Sequence, residues 1–178
     1  MGAVTPTPLP EIPFVADEVS AVRSFLAYFR ATLRRQVEGL TAEQLDQALA
    51  PSPMTLGGML SHLAFVEDYW CGHVLHGDQP AEPWRSIDWA ADPDQDWHRA
   101  AGRTADELLA LHEAAVRAAD EGIDRALAAG GLDTLAVVER HGETASLRWI
   151  LLHLVEEYAR HAGHADLIHE SVDGATGL

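Results

Sequence analysis

Val19, Val22, Phe25, Leu26, Phe29, Leu33 and Val37 recur at steps of three and four residues, with Arg23, Arg30, Arg34 and Glu38 set between them. That period lays one apolar stripe along a helix and admits no strand. The pattern returns three times. LGGMLSHLAFVEDYWCGHVL, opening near Thr55 and stopping around Gly77, reads as a second long helix. Leu108, Leu111, Ala115 and Ala119 mark a third, from the capping box Thr104-Ala105-Asp106-Glu107 to about Ala129. SLRWILLHLVEEYARHAGHADLIHES, capped by Ser146 and closed by Gly174, is the fourth. Thr41 and Gln44 cap a short extra helix between the first two. No long run of β-branched residues competes with this reading. The expected fold is an all-α four-helix bundle with a long crossover between the second and third long helices. Residues 77–103 form that crossover, and their three tryptophans favour an ordered connection. At 178 residues the chain reads as a single domain, with an extended proline-bearing arm over 1–15 and a short tail over 171–178.

Charge narrows the function. Twenty-eight acidic residues stand against twelve basic ones, all Arg, for a formal charge of −16. Nucleic acid is disfavoured, since its binding needs a cationic surface that displaces counterions. An anionic membrane surface is disfavoured for the same reason, and apolar stretches such as LRWILLHLV end well before the roughly 20 residues of a bilayer span. MGAVTPTPLPEIPF lacks the basic and apolar regions of a secretion signal. A cytoplasmic location is therefore expected, and the lone Cys71 is expected as a small buried residue.

Ten histidines are present, four of them on the last helix. At about 100° per residue, Glu157, His161 and His164 fall roughly 40°, 80° and 20° from His153, on one stripe. The apolar residues Leu147, Ile150, Leu154, Tyr158 and Ala165 centre close to His161, so His161 points inward and Glu157 lies at the margin of the apolar face. Glu157 and His161, at i and i+4, can grip one ion. His62, in the middle of the second helix with Met59, Phe65 and Val66 on its own face, is the best third ligand, and Glu67 and Asp68 lie well away from that face. Two imidazoles and one carboxylate leave a position for water or substrate, as catalytic sites do. Spacing alone leaves a bland alternative open, in which His62 is a core histidine and Glu157 and His161 form a buried ion pair. His73, His76, His98, His112, His141 and His169 are expected at the surface or at helix ends.

From VEGLTAEQL through LGGMLSHLAFVEDYW, PWRSIDW and SLRWILLHLVEEYARHAGHADLIHE to DGATG, the chain resembles the DinB superfamily of helical metal-binding proteins. Its branch is the actinobacterial one related to mycothiol-dependent maleylpyruvate isomerase and thiol S-transferases. The resemblance implies metal ligands His62, Glu157 and His161, with Glu157 standing where a His is commoner. It adds His164 and His153 as residues that would orient a ligand or replace it; the Trp84, Arg85 and Trp89 loop would border the pocket or, as readily, close the bundle end as a hydrophobic clasp. It also implies a divalent ion (zinc first, with nickel, iron or manganese as alternatives) and a low-molecular-weight thiol such as mycothiol. The activity implied is metal-dependent transfer of that thiol to electrophilic small molecules. A non-catalytic metal or small-ligand binding bundle, and a metal-assisted hydrolase or isomerase using the same site, are the alternatives. A homodimer is a further expectation, since bundles of this type often pair through exposed apolar faces.

Overall fold

Asp17 opens the first helix by accepting a hydrogen bond from the Ser20 backbone N–H, and α1 runs over Glu18–Val37 with Arg34 and Arg35 in its last turn, where cations suit the helix dipole. In the computed structural model, which describes residues 8–174, the remaining helices follow the sequence signals closely. Thr41 and Gln44 form a capping box on α2, Ala42–Leu45. Thr55 caps α3, Leu56–Glu67, which passes without a break into a π-helical stretch over Asp68–Val74. After a short 3-10 turn at Trp84–Ser86 come α4, Gln95–His98, and α5, Ala105–Gly130, opened by the Thr104/Glu107 capping box. A 3-10 turn over Gly131–Asp133 leads to α6, Leu147–Asp173, capped by Ser146 and closed by the left-handed Gly174. No strand occurs among the described residues, so the chain is all-α.

One expectation changes at the ends. The tail expected from residue 171 begins only at Gly174, because the helix keeps its hydrogen bonding until a left-handed residue ends it; residues 175–178 lie outside the described part. Of the expected arm, residues 1–7 also lie outside it, and Pro8 and Pro10 line a groove between α1 and α5.

Contacts along the helices fix their directions. Arg148 meets Glu18, and Gln36 meets Ala162 and Asp166, so α1 and α6 run parallel. Gly57 lies against Leu108 and Gly122 against Cys71, so α3 and α5 are parallel too. Arg23 meets Asp124 and Arg34 meets Glu113, which sets the second pair antiparallel to the first. The order is therefore up, down, down, up. Residues 56–76 span about 30 Å at the usual helical rise, and the crossover must travel that length back before α5 can start. Its length is a requirement of the topology, not slack.

Leu33, Leu60, Leu63, Ile123, Ile150, Leu154 and Tyr158 meet in the centre, each fully buried. α3 is the most enclosed helix, with ten of its twelve residues buried, and it packs against α1, α5 and α6 as well as α4.

Candidate metal site

His62 sits in the middle of α3, facing α6, and its ring centroid is 5.2 Å from that of His161. On α6, His161 Nε2 lies 3.4 Å from Glu157 Oε2. One potential ligand atom from each of His62, Glu157 and His161 lies within 4.8 Å of the others. The side chains are 19 %, 19 % and 8 % exposed respectively, so the cluster is shielded yet reachable from one side. Glu157 is held below the usual carboxylate range, first by its hydrogen bond with His161 and then by the neighbouring His153 and His62, which together outweigh its partial burial.

A residue from the crossover completes the geometry. Asp96 of α4 reaches Nδ1 of His62 at 2.5 Å. A carboxylate only accepts, so Nδ1 carries the hydrogen, and the neutral ring keeps its lone pair on Nε2. This carboxylate–imidazole pairing is how metal-binding histidines are oriented and made more basic. Trp97, next in sequence, stacks on the same ring at 4.5 Å and 18°. The close fit needs Gly58, where an added Cβ would come 3.2 Å from the Trp97 ring. Two imidazole lone pairs and one carboxylate converging with net negative charge form a donor set that fits a divalent cation.

Around this centre the other expected residues take distinct places. His153 stacks on Trp149, and its Nε2 lies 3.5 Å from Glu157 Oε1. The His164 ring is 5.8 Å from that of His161; Nδ1 of each is buried without a hydrogen-bond partner. His153, Glu156 and Glu157 make a second potential grouping, but Glu156 is exposed and ion-paired with Arg160. Trp84 is buried against Phe65, one turn along α3 from His62, with the Arg99 guanidinium 5.0 Å from its ring, and Trp89 packs on the same Phe65. Arg85 turns outward to Glu82.

Two readings of the sequence are corrected. Glu67, assigned away from the core face, is fully buried: Arg30 donates to both its oxygens at 2.7 Å, and the Tyr158 hydroxyl donates to it at 2.8 Å. α3 is enclosed on nearly every side, so it has no solvent face for Glu67 to occupy. His112, expected at the surface, is also fully buried, with Nε2 donating to the Tyr158 oxygen at 2.7 Å. Its place one turn after Leu108 on the apolar stripe of α5 was the available signal. Asp96 and Trp97 had none, because a four-residue helix shows no period. Cys71 is buried as expected, and burial pushes its thiol up, so it is no nucleophile.

A family model of mycothiol S-transferases matches residues 21–174, from inside α1 to the cap of α6. The chain belongs to that family. Mycothiol S-transferases fall within the DinB superfamily, so the resemblance read from the sequence holds. Membership of the mycothiol S-transferase family brings a small thiol into the chemistry of the chain, and the match contains all of the clustered residues His62, Asp96, Glu157 and His161. No curated protein matches the chain. No helix among the described residues is long and apolar enough to cross a membrane.

Proposed function

We propose that this chain is a metal-dependent thiol S-transferase, with His62, Glu157 and His161 as the ligands of one divalent ion and mycothiol or a similar small thiol as the sulfur donor. One observation carries the reading: three lone-pair donors from two helices lie within 4.8 Å of one another, and the most remote of them, His62, is oriented by Asp96. A divalent ion held there supplies a Lewis acid that favours the thiolate form of an incoming thiol at neutral pH. Two imidazoles and a carboxylate suit zinc first, with nickel, iron and manganese as alternatives.

The side chains divide the work. Asp96 and the stacked Trp97 hold the His62 ring in one tautomer and one orientation. Glu157 supplies the negative charge that balances a cation. Trp97 and the bundle core keep bulk water off one side of the cluster, where electrostatic interactions are stronger for it. The reaction releases the thiol proton and forms a sulfur–carbon bond; the electron pair displaced at carbon leaves with the departing group or, in an addition, takes up the proton.

Elemental analysis of protein purified without added metal, combined with turnover of a conjugated or halogenated electrophile across a thiol panel, tests this. About one ion per chain is expected, and Glu157→Gln should lower both metal content and turnover, the latter by at least about a hundredfold. A metal-free protein that turns over as fast as the loaded one would overturn the proposal.

A further inference from the structure

Beside the histidine cluster lies a separate hollow of about 490 Å³, walled by Trp70 and Trp149, with Arg140, Glu143, Thr144 and Ser146 on its rim. That volume is ample for a small ligand. Trp149 is 49 % exposed, an unusual state for an indole whose burial would be strongly favourable.

The hollow is built rather than incidental. Trp70 comes from the π-helical stretch that continues α3, and such stretches re-aim side chains and recur at functional sites. It meets Trp149 with ring centroids 5.2 Å apart. The rim is a tight turn, in which Arg140 and Glu143 exchange backbone hydrogen bonds of 2.8 and 2.9 Å. Ala136 N–H to Ala145 C=O at 2.8 Å ties the turn's two arms together, and Val138 N–H to Val74 C=O at 3.0 Å ties it to the end of the π stretch. The Arg140 guanidinium rests 5.2 Å from the Tyr69 ring.

One imidazole links the hollow to the candidate metal site. Trp149 stacks on His153 at 4.9 Å and 24°, and His153 Nε2 lies 3.5 Å from Glu157 Oε1. His153 thus spans from the indole to Glu157, and an arm reaching the cluster from the hollow would have to pass it.

The lining selects a ligand class. Indole faces pack against the C–H faces of saturated rings, while a guanidinium, an imidazole, a carboxylate and two hydroxyls provide both donors and acceptors. A flat apolar molecule would desolvate five polar side chains, those of Arg140, His141, Glu143, Thr144 and Ser146, without replacing their hydrogen bonds. A simple anion would meet Glu143 beside Arg140. Polyhydroxylated rings satisfy both walls and rim. We infer that this hollow binds the carbohydrate-like body of the thiol donor while its sulfur reaches the His62–Glu157–His161 cluster; the inference rests on the thiol-transfer reading above.

The test separates the two. Calorimetric titration of the metal-loaded full chain with sulfur-free glucosaminyl-inositol measures the hollow without any turnover, and saturable binding is expected. Trp149→Ala should weaken that binding by about tenfold or more. In steady state the same substitution should reduce the preference for mycothiol over N-acetylcysteine, which lacks the body, by a similar factor, through KM more than kcat. Thr144→Val, on the exposed rim, should shift the same preference in the same direction and keeps the test available if Trp149→Ala fails to fold. Mycothiol turnover without any binding of the sugar compound, or equal losses for both thiols, would overturn the inference and leave the transferase reading intact. Sugar binding that is lost in Trp149→Ala, in a protein that turns over no thiol, would support the hollow and sink the transferase reading.

Discussion

Arg30, Glu67, Tyr158 and His112 form one hydrogen-bonded chain through the middle of the bundle, and the Asp120 carboxylate takes a further Arg30 bond at 2.9 Å. The chain assigns every proton. Glu67 accepts only, so Tyr158 donates to it, and His112 must donate Nε2–H to the Tyr158 oxygen as a neutral ring. Burial first, then the positive charges of Arg30 and Arg34, hold the His112 pKa down to about 3, against 6.5 in an open chain. Below pH 6.5 the unfolded chain takes up a proton that the folded protein refuses, so stability falls with pH across that window. This residue should remove on the order of 3 kcal/mol between its open-chain value and about pH 4. Denaturation midpoints followed over that range should decline less steeply in His112→Leu than in the parent; equal slopes would show that His112 takes no part. Periodicity put Tyr158 on the apolar stripe of α6 and offered His112 on that of α5, but it could not reveal Arg30 and Glu67. His62, Glu157 and His161 stood out because their spacing puts them on inward faces, whereas Arg30 and Glu67 carry residue types that a two-faced helix would send to solvent. Only their pairing across two helices makes them core residues, and pairing is a tertiary fact.

Among the long helices, α3 stands apart. α1, α5 and α6 each turn one apolar stripe inward, and their starts were legible in the period from Val19, in Thr104 and in Ser146. α3 is enclosed all round and its apolar residues show little preference for one face, so its helicity could be read but its contacts could not. Its π-helical continuation was equally hidden, since an α and a π turn draw on the same residues. Gly122 of α5 lies under that continuation, and an added Cβ there would sit 2.6 Å from the Cys71 carbonyl oxygen. Gly to Ala within a helix ordinarily stabilises by up to about 1 kcal/mol. Here the obstacle is backbone and cannot swing aside, so Gly122→Ala should instead destabilise by about 1–3 kcal/mol in urea denaturation. A stabilised variant would show that the two helices stand further apart than described.

At the scale of the molecule, the core closes without help from the candidate metal site. Leu33, Leu60, Leu63, Ile123, Ile150 and Leu154 are fully buried in one continuous cluster, whereas His62 and Glu157 lie at its margin. A chelator should therefore abolish thiol transfer while the helical circular dichroism at 25 °C stays within about a tenth of its starting value, unlike small domains that unfold when metal leaves. Cooperative loss of helix on chelation would mean that the ion is structural. The overall architecture was legible because four long helical segments and one long interruption admit few arrangements. The parallel course of α3 and α5 was not, since it emerges only from which ends touch. That parallel course has a further consequence. A strap compelled to run the bundle's full length passes over its flank whatever its wording, and on the way it delivers Asp96 and Trp97 to the mouth of the cluster. Redesigning that one overpass, with the scaffold untouched, offers a way to give such a bundle a new clientele.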